Sequence, residues 1–547
     1  MKRMCKLTAL VVVLAMALIM VAACGTPAPA TPANGAATTT PAAPQIPTTP
    51  TGDEPALAPP PEAPEDGNFA SHVDIIMDNN MIGVVNPLNA GATGSTSRWA
   101  FRMIYDRLVY APPGGGFEPM LATSWDTDDY KTFIFHLRDD VTFHNGEPFT
   151  AQDVVDTIYL AHVERAGLAW QAWSVVETAT VIDTHTVELV LTGVNVEFLF
   201  NAAMPGAGIL HKASVDADAE RGTWVGTGAF QITNFASNDF VEFARNDNYW
   251  GDTPISETMT FRFIPEMAAR TIMMLNNEAQ VVGVVSPEDR DMFVEDPNFN
   301  LVPMRGNATM FLGFNMNDPI AGDINFRRAI AHALYLPHLA IAAGGNWSVA
   351  APDGAYWGPV TEFRNESLPI RERDLDLAMQ YLEASVWDGE EVSVSLSIAT
   401  IGRAMEMAQA QLSEIGVPLF INIMDSASFG AHATYENNEA QMMSHAGSFA
   451  PNASSIRPHL MPHGTLNRAS FNNDEVTELL ERANTVTNVS ERAEIYMQVQ
   501  AIVHEYIPYI NMYENIGGLI TTAGVGGVIV TFDGCLDFRF TFLDLDA

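Results

Sequence analysis

Residues 118–162 read EPMLATSWDTDDYKTFIFHLRDDVTFHNGEPFTAQDVVDTIYLAH, and three structural devices follow one another within them. Thr132 to Arg138 alternates, with Phe133, Phe135 and Leu137 on one side and Ile134, His136 and Arg138 on the other. Period two over that length is a strand with one buried face. Asn145-Gly146, between Val141–His144 and Glu147–Phe149, supplies the positive φ angles of a tight hairpin turn. Thr150 then caps a helix. Asp153 takes the N3 position of a capping box, and Val154, Val155, Ile158 and His162 form the helical stripe. No catalytic group stands out, and the block reads as scaffold.

The same run, LATSW followed by TFIFHLRDDVTFHNGEPFTAQDVV, resembles the signature of the family 5 extracellular solute-binding proteins. These are the peptide- and nickel-type binding subunits of ABC importers. The likeness continues outward. Val84-Val85-Asn86-Pro87-Leu88 resembles the family's entry to the cleft. Gly226-Thr227-Gly228-Ala229-Phe230 resembles its return strand, with Ala229 where proline is usual. Arg245 to Trp250 (RNDNYW), Asn325 to Ala331 and Pro508 to Tyr513 match further family segments. Asn277 to Gln280 departs from the family's Gly-x-x-Asp. The resemblance spans about 70 to 547. It implies an α/β, two-lobed periplasmic-binding-protein-like fold, with a two-strand hinge and a small extra inserted domain. The expected first lobe comprises 68–108, 223–310 and 514–547, the inserted domain 109–222, and the second lobe 311–513. Within these, Val73–Met77 is read as the first strand and Gly91–Ser97 as a loop or edge strand. Trp99–Leu108 is read as a helix, and Thr180–Leu191 as a hairpin turning at Asp183-Thr184.

A chain of 547 residues is too long for one compact core and suits two or three domains. Its 27 basic and 66 acidic residues leave a formal charge of −39. That sign argues against nucleic acid or an anionic membrane surface as partner. It favours solubility and, weakly, cationic ligands. Cys5, Cys24 and Cys535 give no disulfide framework and no cysteine zinc site.

Lys2, Arg3 and Lys6 precede an apolar run from Leu7 to Val21 that ends Val21-Ala22-Ala23-Cys24. The run is short for a spanning helix and closes on small residues, as export signals do. The ending resembles a bacterial lipobox. It implies a signal peptide over 1–23 and a product that starts at Cys24 with diacylglycerol on its sulfur. Acyl chains anchor at about 0.8 kcal/mol per buried CH₂. The following Ala/Pro/Thr/Gly segment, to residue 67, cannot bury enough apolar surface to order itself and reads as a tether.

Matched region by region, the resemblance implies ligand-binding strands near Ser95-Thr96-Ser97 and Ser444-His445-Ala446. It also implies an amine-binding acid within Met443–Pro451, yet no Asp or Glu occurs there, and Ser448 takes its place. Asp425 and Glu439 are the acids that could fold in from a distance. Trp170 and Trp173 are candidates for an aromatic wall of the cleft, with core packing as the alternative. His432, Met442, Met443, His445, His459, Met461 and His463 are soft ligands whose spacing fits no metal motif. Neither metal nor cofactor is expected. Arg327 and Arg328 read as structural. Ser448 lies in Gly-Ser-Phe rather than G-x-S-x-G, with no base assigned, so no catalytic residue is expected. The resemblance implies a monomeric receptor, lipid-anchored outside the cytoplasm, that passes a small solute to the transmembrane subunits of an ABC permease. A peptide is the foremost solute, and an oligosaccharide or a nickel or other metal chelate is the alternative. An extracellular hydrolase on the same scaffold is the reading from a different class.

Overall fold

The computed structural model describes residues 67–77, 85–89, 95–112, 116–283, 285–351, 354–358, 361–397, 399–436, 438–448, 452–531 and 533–546. Cys24, the export signal and nearly all of the tether lie outside the described residues, as do the side chains of Ser95, Thr96 and Ser448. Among the described residues no helix is long and apolar enough to cross a membrane.

Two strands dominate the architecture. Phe299–Phe314 and Tyr509–Thr522 pair antiparallel from Phe299↔Thr522 to Gly313↔Tyr509. At 16 and 14 residues they far exceed the usual five or six. Their length lets them run through two cores. Leu519 packs in the first, with Phe299 and Ile520 in a smaller cluster of the same lobe, and Met310, Leu312, Phe314, Met512 and Tyr513 pack in the second. Between the two, the register slips from Arg305 to Thr309 opposite Ile516–Glu514. Bulges of this kind interrupt the ladder and bend the strand. The two lobes therefore meet at a pair of irregular strands.

Eleven described strands form one sheet across both lobes. On the first side His72–Met77 lies parallel between Thr258–Phe263 and Val281–Gly283. On the second, Val392–Leu396 lies parallel between Leu419–Ile423 and Met442–Ser448. A separate four-stranded sheet joins Ala122–Asp126, Thr132–Leu137, Thr186–Leu191 and Val176–Asp183. Its side chains share one continuous core with the first lobe.

The opening stretch folds as its pattern requires. Thr132–Leu137 is a strand with Phe133, Phe135 and Leu137 buried. The turn at 144–146 is looser than a two-residue hairpin. The Phe143 amide donates to Glu147 O at 2.8 Å, and only Gly146 takes positive φ, at 86°. Asn145 stays outside the left-handed region, as in three-residue loops that end on a glycine. The helix is Ala151–Glu164, and the Asp153 carboxylate accepts from the Thr150 amide at 2.8 Å and hydroxyl at 2.9 Å. The second hairpin turns at Thr184–His185, one residue later than expected, because the Asp183 side chain accepts from the His185 amide.

One expectation is overturned. Ser95–Ser97 is not an edge strand but the first turn of the helix Ser95–Ile104. Ser97, Ala100, Phe101 and Ile104 are all buried at helical spacing, and that stripe outweighs the loop-like composition before it.

Buried charges tie the C-terminal segment to this helix. Arg102 donates to Asp533 at 2.7 Å, while Arg539 and Asp537 pair at 2.7 Å within the C-terminal segment itself. Asp106 accepts from Trp250 Nε1 at 2.8 Å, Thr227 Oγ1 at 3.1 Å and Tyr249 OH at 3.2 Å. The aromatic pair of RNDNYW and the threonine of GTGAF thus both serve one buried carboxylate.

Candidate functional site

A cavity of about 390 Å³ opens between the two cores, within the usual size range for small-molecule sites. Three parts of the chain build it. The first lobe contributes Arg98 and Asp533. The domain of the four-stranded sheet contributes Leu168, Gln171, Ala172, Asn201 and Met204. The second lobe contributes Asn452, Ser454, Ser455, Pro458 and Leu466. A larger groove of about 570 Å³, lined by His72, Asp74, Glu242 and Arg262, lies wholly within the first lobe and lacks this three-part wall.

The lining is chiefly amides, hydroxyls and apolar side chains, with one cation and one anion. Burial opposes the Asp533 charge, but Arg102, Arg98 and a 2.6 Å hydrogen bond from Thr531 outweigh it and hold the carboxyl below its ordinary range. Its charge is thereby committed to protein partners. Asn452 is fixed from behind. Its Nδ2 donates to Glu197 Oε2 at 2.9 Å and to Ser454 Oγ at 2.7 Å.

The strand Met442–Ser448 leads toward this wall, ending four residues before Asn452. Val392–Leu396 covers one of its edges only as far as Ser444. From His445 to Ser448 the strand keeps its Phe311–Ala308 partner on one side, and among the described residues no strand pairs with the other. An uncovered strand edge can pair with an extended peptide backbone.

The side chains expected at the site fall in several places. Ser97 and Ser444 are fully buried. His445 turns away from the open edge into an aromatic cluster, with ring centres 5.9 Å from Phe311 and 6.2 Å from Tyr509. Trp173 is fully buried and packs on Phe198, while Trp170 stands edge-on to His162 at 5.2 Å. Both lie off the cavity, because the helix Gly167–Trp173 presents Leu168, Gln171 and Ala172 to it. Asp425 accepts from the Ser428 amide at the start of Ser426–His432, and Glu439 faces His432 at 3.4 Å. Neither reaches the cavity. The histidines and methionines of 432–463 are dispersed. His459 bonds Tyr356, His463 meets Glu436, and Met442 and Met443 enter different cores. Arg327 is structural, donating to Tyr506 O at 3.0 Å and Ala321 O at 3.2 Å. Sequence reasoning missed Arg98, Gln171, Asn201, Asn452, Ser454 and Asp533. Only Arg98, Gln171 and Asn452 carried a signal, as polar neighbours of residues already singled out.

His445 gives a pH prediction. Burial, partly offset by the Ala446 carbonyl 3.1 Å from Nδ1, pushes its pKa from 6.5 down to about 4. The folded value lies below the unfolded one. The neutral ring's contribution is therefore complete above pH 6.5 and lost as pH falls toward 4. At 1.36 kcal/mol per unit this amounts to about 3 kcal/mol. Urea unfolding at several pH values should show wild type losing that much more than His445→Phe between pH 6.5 and 4. Equal losses would refute it.

Residues 116–464 match the family described as bacterial extracellular solute-binding proteins, family 5 middle. Heme-binding protein A of Haemophilus influenzae is 25% identical over 463 residues, covering 78% of this chain and 84% of that protein. The dipeptide-binding protein of Escherichia coli is 25% identical over 453 residues, covering 74% and 82%. Among solved structures, the periplasmic binding protein DppA from Helicobacter pylori in complex with the peptide STSA superposes with a TM-score of 0.74 at 21% identity. That superposition covers 87% of this chain and 98% of DppA.

Proposed function

The chain belongs to the bacterial extracellular solute-binding proteins of family 5, and from that membership we propose that it captures a peptide in the interlobe cavity by hinge closure and delivers it to an ABC permease. Members of this family are transport receptors and not enzymes. The observation that carries the peptide reading is the uncovered edge from His445 to Ser448, on a strand that ends four residues before Asn452 of a cavity lined by amides and hydroxyls. Edge pairing supplies affinity without reading side chains, and the cavity then selects among them. The two interrupted long strands support a hinge. The separate cores support a division between the second lobe, 311–513, and the rest, and the separate four-stranded sheet supports 109–222 as an inserted domain beside the first lobe at 68–108, 223–310 and 514–547.

The binding mode has a chemical corollary. Of the acids closest to the cavity, Asp533 is committed to Arg102, and both oxygens of Glu197 are taken by Asn452, Ser454 and Tyr496. A free α-amine is then not the main anchor. Solute released by denaturing the purified protein should be identified by mass spectrometry, and its free and N-acetylated forms compared by calorimetry. Acetylation should cost under ~1 kcal/mol. A hundredfold loss of affinity would mean that an acid does meet the amine, and a non-peptide solute would overturn the peptide reading.

Lipid anchoring is proposed from the Val21–Cys24 ending. A clickable fatty acid should label the wild-type protein and not Cys24→Ala, which should be secreted or stay uncleaved. Label persisting on the variant would sink the anchor.

A further inference from the structure

We propose that Glu197 is a positioning residue that latches the cleft shut, holding the Asn452–Ser455 wall against the opposite lobe. Glu197 stands just before the helix Phe198–Ala203, whose Phe198 is fixed in the first core against Phe133, ring centres 4.9 Å apart. Its carboxylate does not serve its own helix. Oε2 accepts from Asn452 Nδ2 at 2.9 Å and from the Ser454 amide at 3.2 Å, and Oε1 accepts from Tyr496 OH at 3.5 Å. The neighbours of these donors, Ala453 and Ile456, and Tyr496 itself belong to the second lobe's core. The bond set therefore crosses from the inserted domain, which shares the first lobe's core, to the second lobe. Asn484 extends the same seam, accepting from the Val196 amide at 3.5 Å and donating to Val194 O at 3.2 Å.

The energetic logic is that of a switchable contact. Glu197 is only 3% exposed, and its partners are three neutral donors rather than a cation. A carboxylate buried this way is stable only while the donors stay in place. Separating the lobes returns it to water, so it belongs to the closed arrangement. Asn452 and Ser454 also line the cavity, so the latch orients the very groups a solute would meet. Only the last step, retention of solute, rests on the receptor reading. The latch itself is tested without any solute.

The test is hydrogen exchange by mass spectrometry on the full chain, comparing wild type with Glu197→Ala, Glu197→Gln and Asn452→Ala. Peptides covering 194–198 and 452–456 should exchange at least ~tenfold faster in Glu197→Ala, the effect expected for a lost charge-assisted bond. Glu197→Gln, which keeps an acceptor, should fall between. Asn452→Ala should reproduce much of the effect and add little to Glu197→Ala in the double variant, because both remove one contact. Peptides from His72–Met77 and Ile324–Ala333 should be unchanged. Unchanged seam peptides would overturn the latch. So would a rise in all peptides together, which would make Glu197 a general structural support. An altered seam in variants of a protein that retains no solute would leave the latch standing and count against the receptor reading.

Discussion

Asp533→Ala is expected to destabilise the protein by about 3–5 kcal/mol, the range for breaking a buried ion pair from one side. Arg102 is 0% exposed and Asp533 1%. Arg102 Nη2 reaches Asp533 at 2.7 Å, while its Nε and Nη1 find no other partner among the described residues. Removing the carboxylate takes away the hydrogen-bonded counter-charge of a buried guanidinium and leaves Asp537 to offset it without a hydrogen bond. Burial works against that cation, and Asp533 is the first of the groups that offset it. A double variant, Arg102→Met with Asp533→Leu, should recover most of the loss, since apolar replacements of buried pairs are often neutral. Denaturant titration of the three proteins decides the matter. A single-variant loss below ~1 kcal/mol would mean that the pair is compensated elsewhere. The acid limb has a definite sign. The Asp533 pKa is lowered on folding, so its contribution is present above the ordinary carboxyl value of 3.8 and disappears as pH falls through the folded value.

Gly226→Ala should also cost roughly 3 kcal/mol, at the upper end for overpacking. A methyl group there would lie 1.9 Å from Ile104 O and 2.7 Å from Tyr105 Cδ1. The nearer obstacle is backbone at the end of the helix Ser95–Ile104. The loop at Gly226 is itself held by His144, whose amide donates to Gly226 O at 2.9 Å and whose Nδ1 accepts from the Gly226 amide at 3.2 Å. Neither side can retreat cheaply. Gly228 shares the constraint, with a Cβ only 2.6 Å from Met103 O. Wild-type stability of Gly226→Ala in urea would show that the helix yields and that the close approach is not required.

These two sites mark what the sequence could and could not reveal. Local devices were legible. The alternation at Thr132–Leu137, the cap at Thr150 and the helix stripes depend on neighbours a few residues away. The glycines of GTGAF could be matched as a motif, but their reason lies about 120 residues upstream, at Ile104. The cavity was largely illegible, because residues 98, 168–206, 452–466 and 533 meet only through the topology. Trp173 suggested a cleft wall by its size. One helical turn sends it into the core and offers Gln171 instead. Met443–Pro451 holds no acid, and the carboxylate beside that wall, Glu197, stands some 250 residues earlier.

The first lobe's core takes Val73, Ile75 and Met77 from one end of the chain and Leu519, Leu536 and Phe538 from the other. A chain delivered N-terminus first cannot complete that core until its last residues arrive. The four-stranded sheet pairs only within residues 122–191, and the second core is complete once Tyr513 is in place. The first lobe is therefore the last to fold. Its closing step joins segments more than 400 residues apart, where loop closure delays the gain from contact. Until then His72–Met77 can pair with Thr258–Phe263 and Val281–Gly283, but the core it faces still lacks Leu519, Leu536 and Phe538, and that is the interval in which such a chain is open to aggregation.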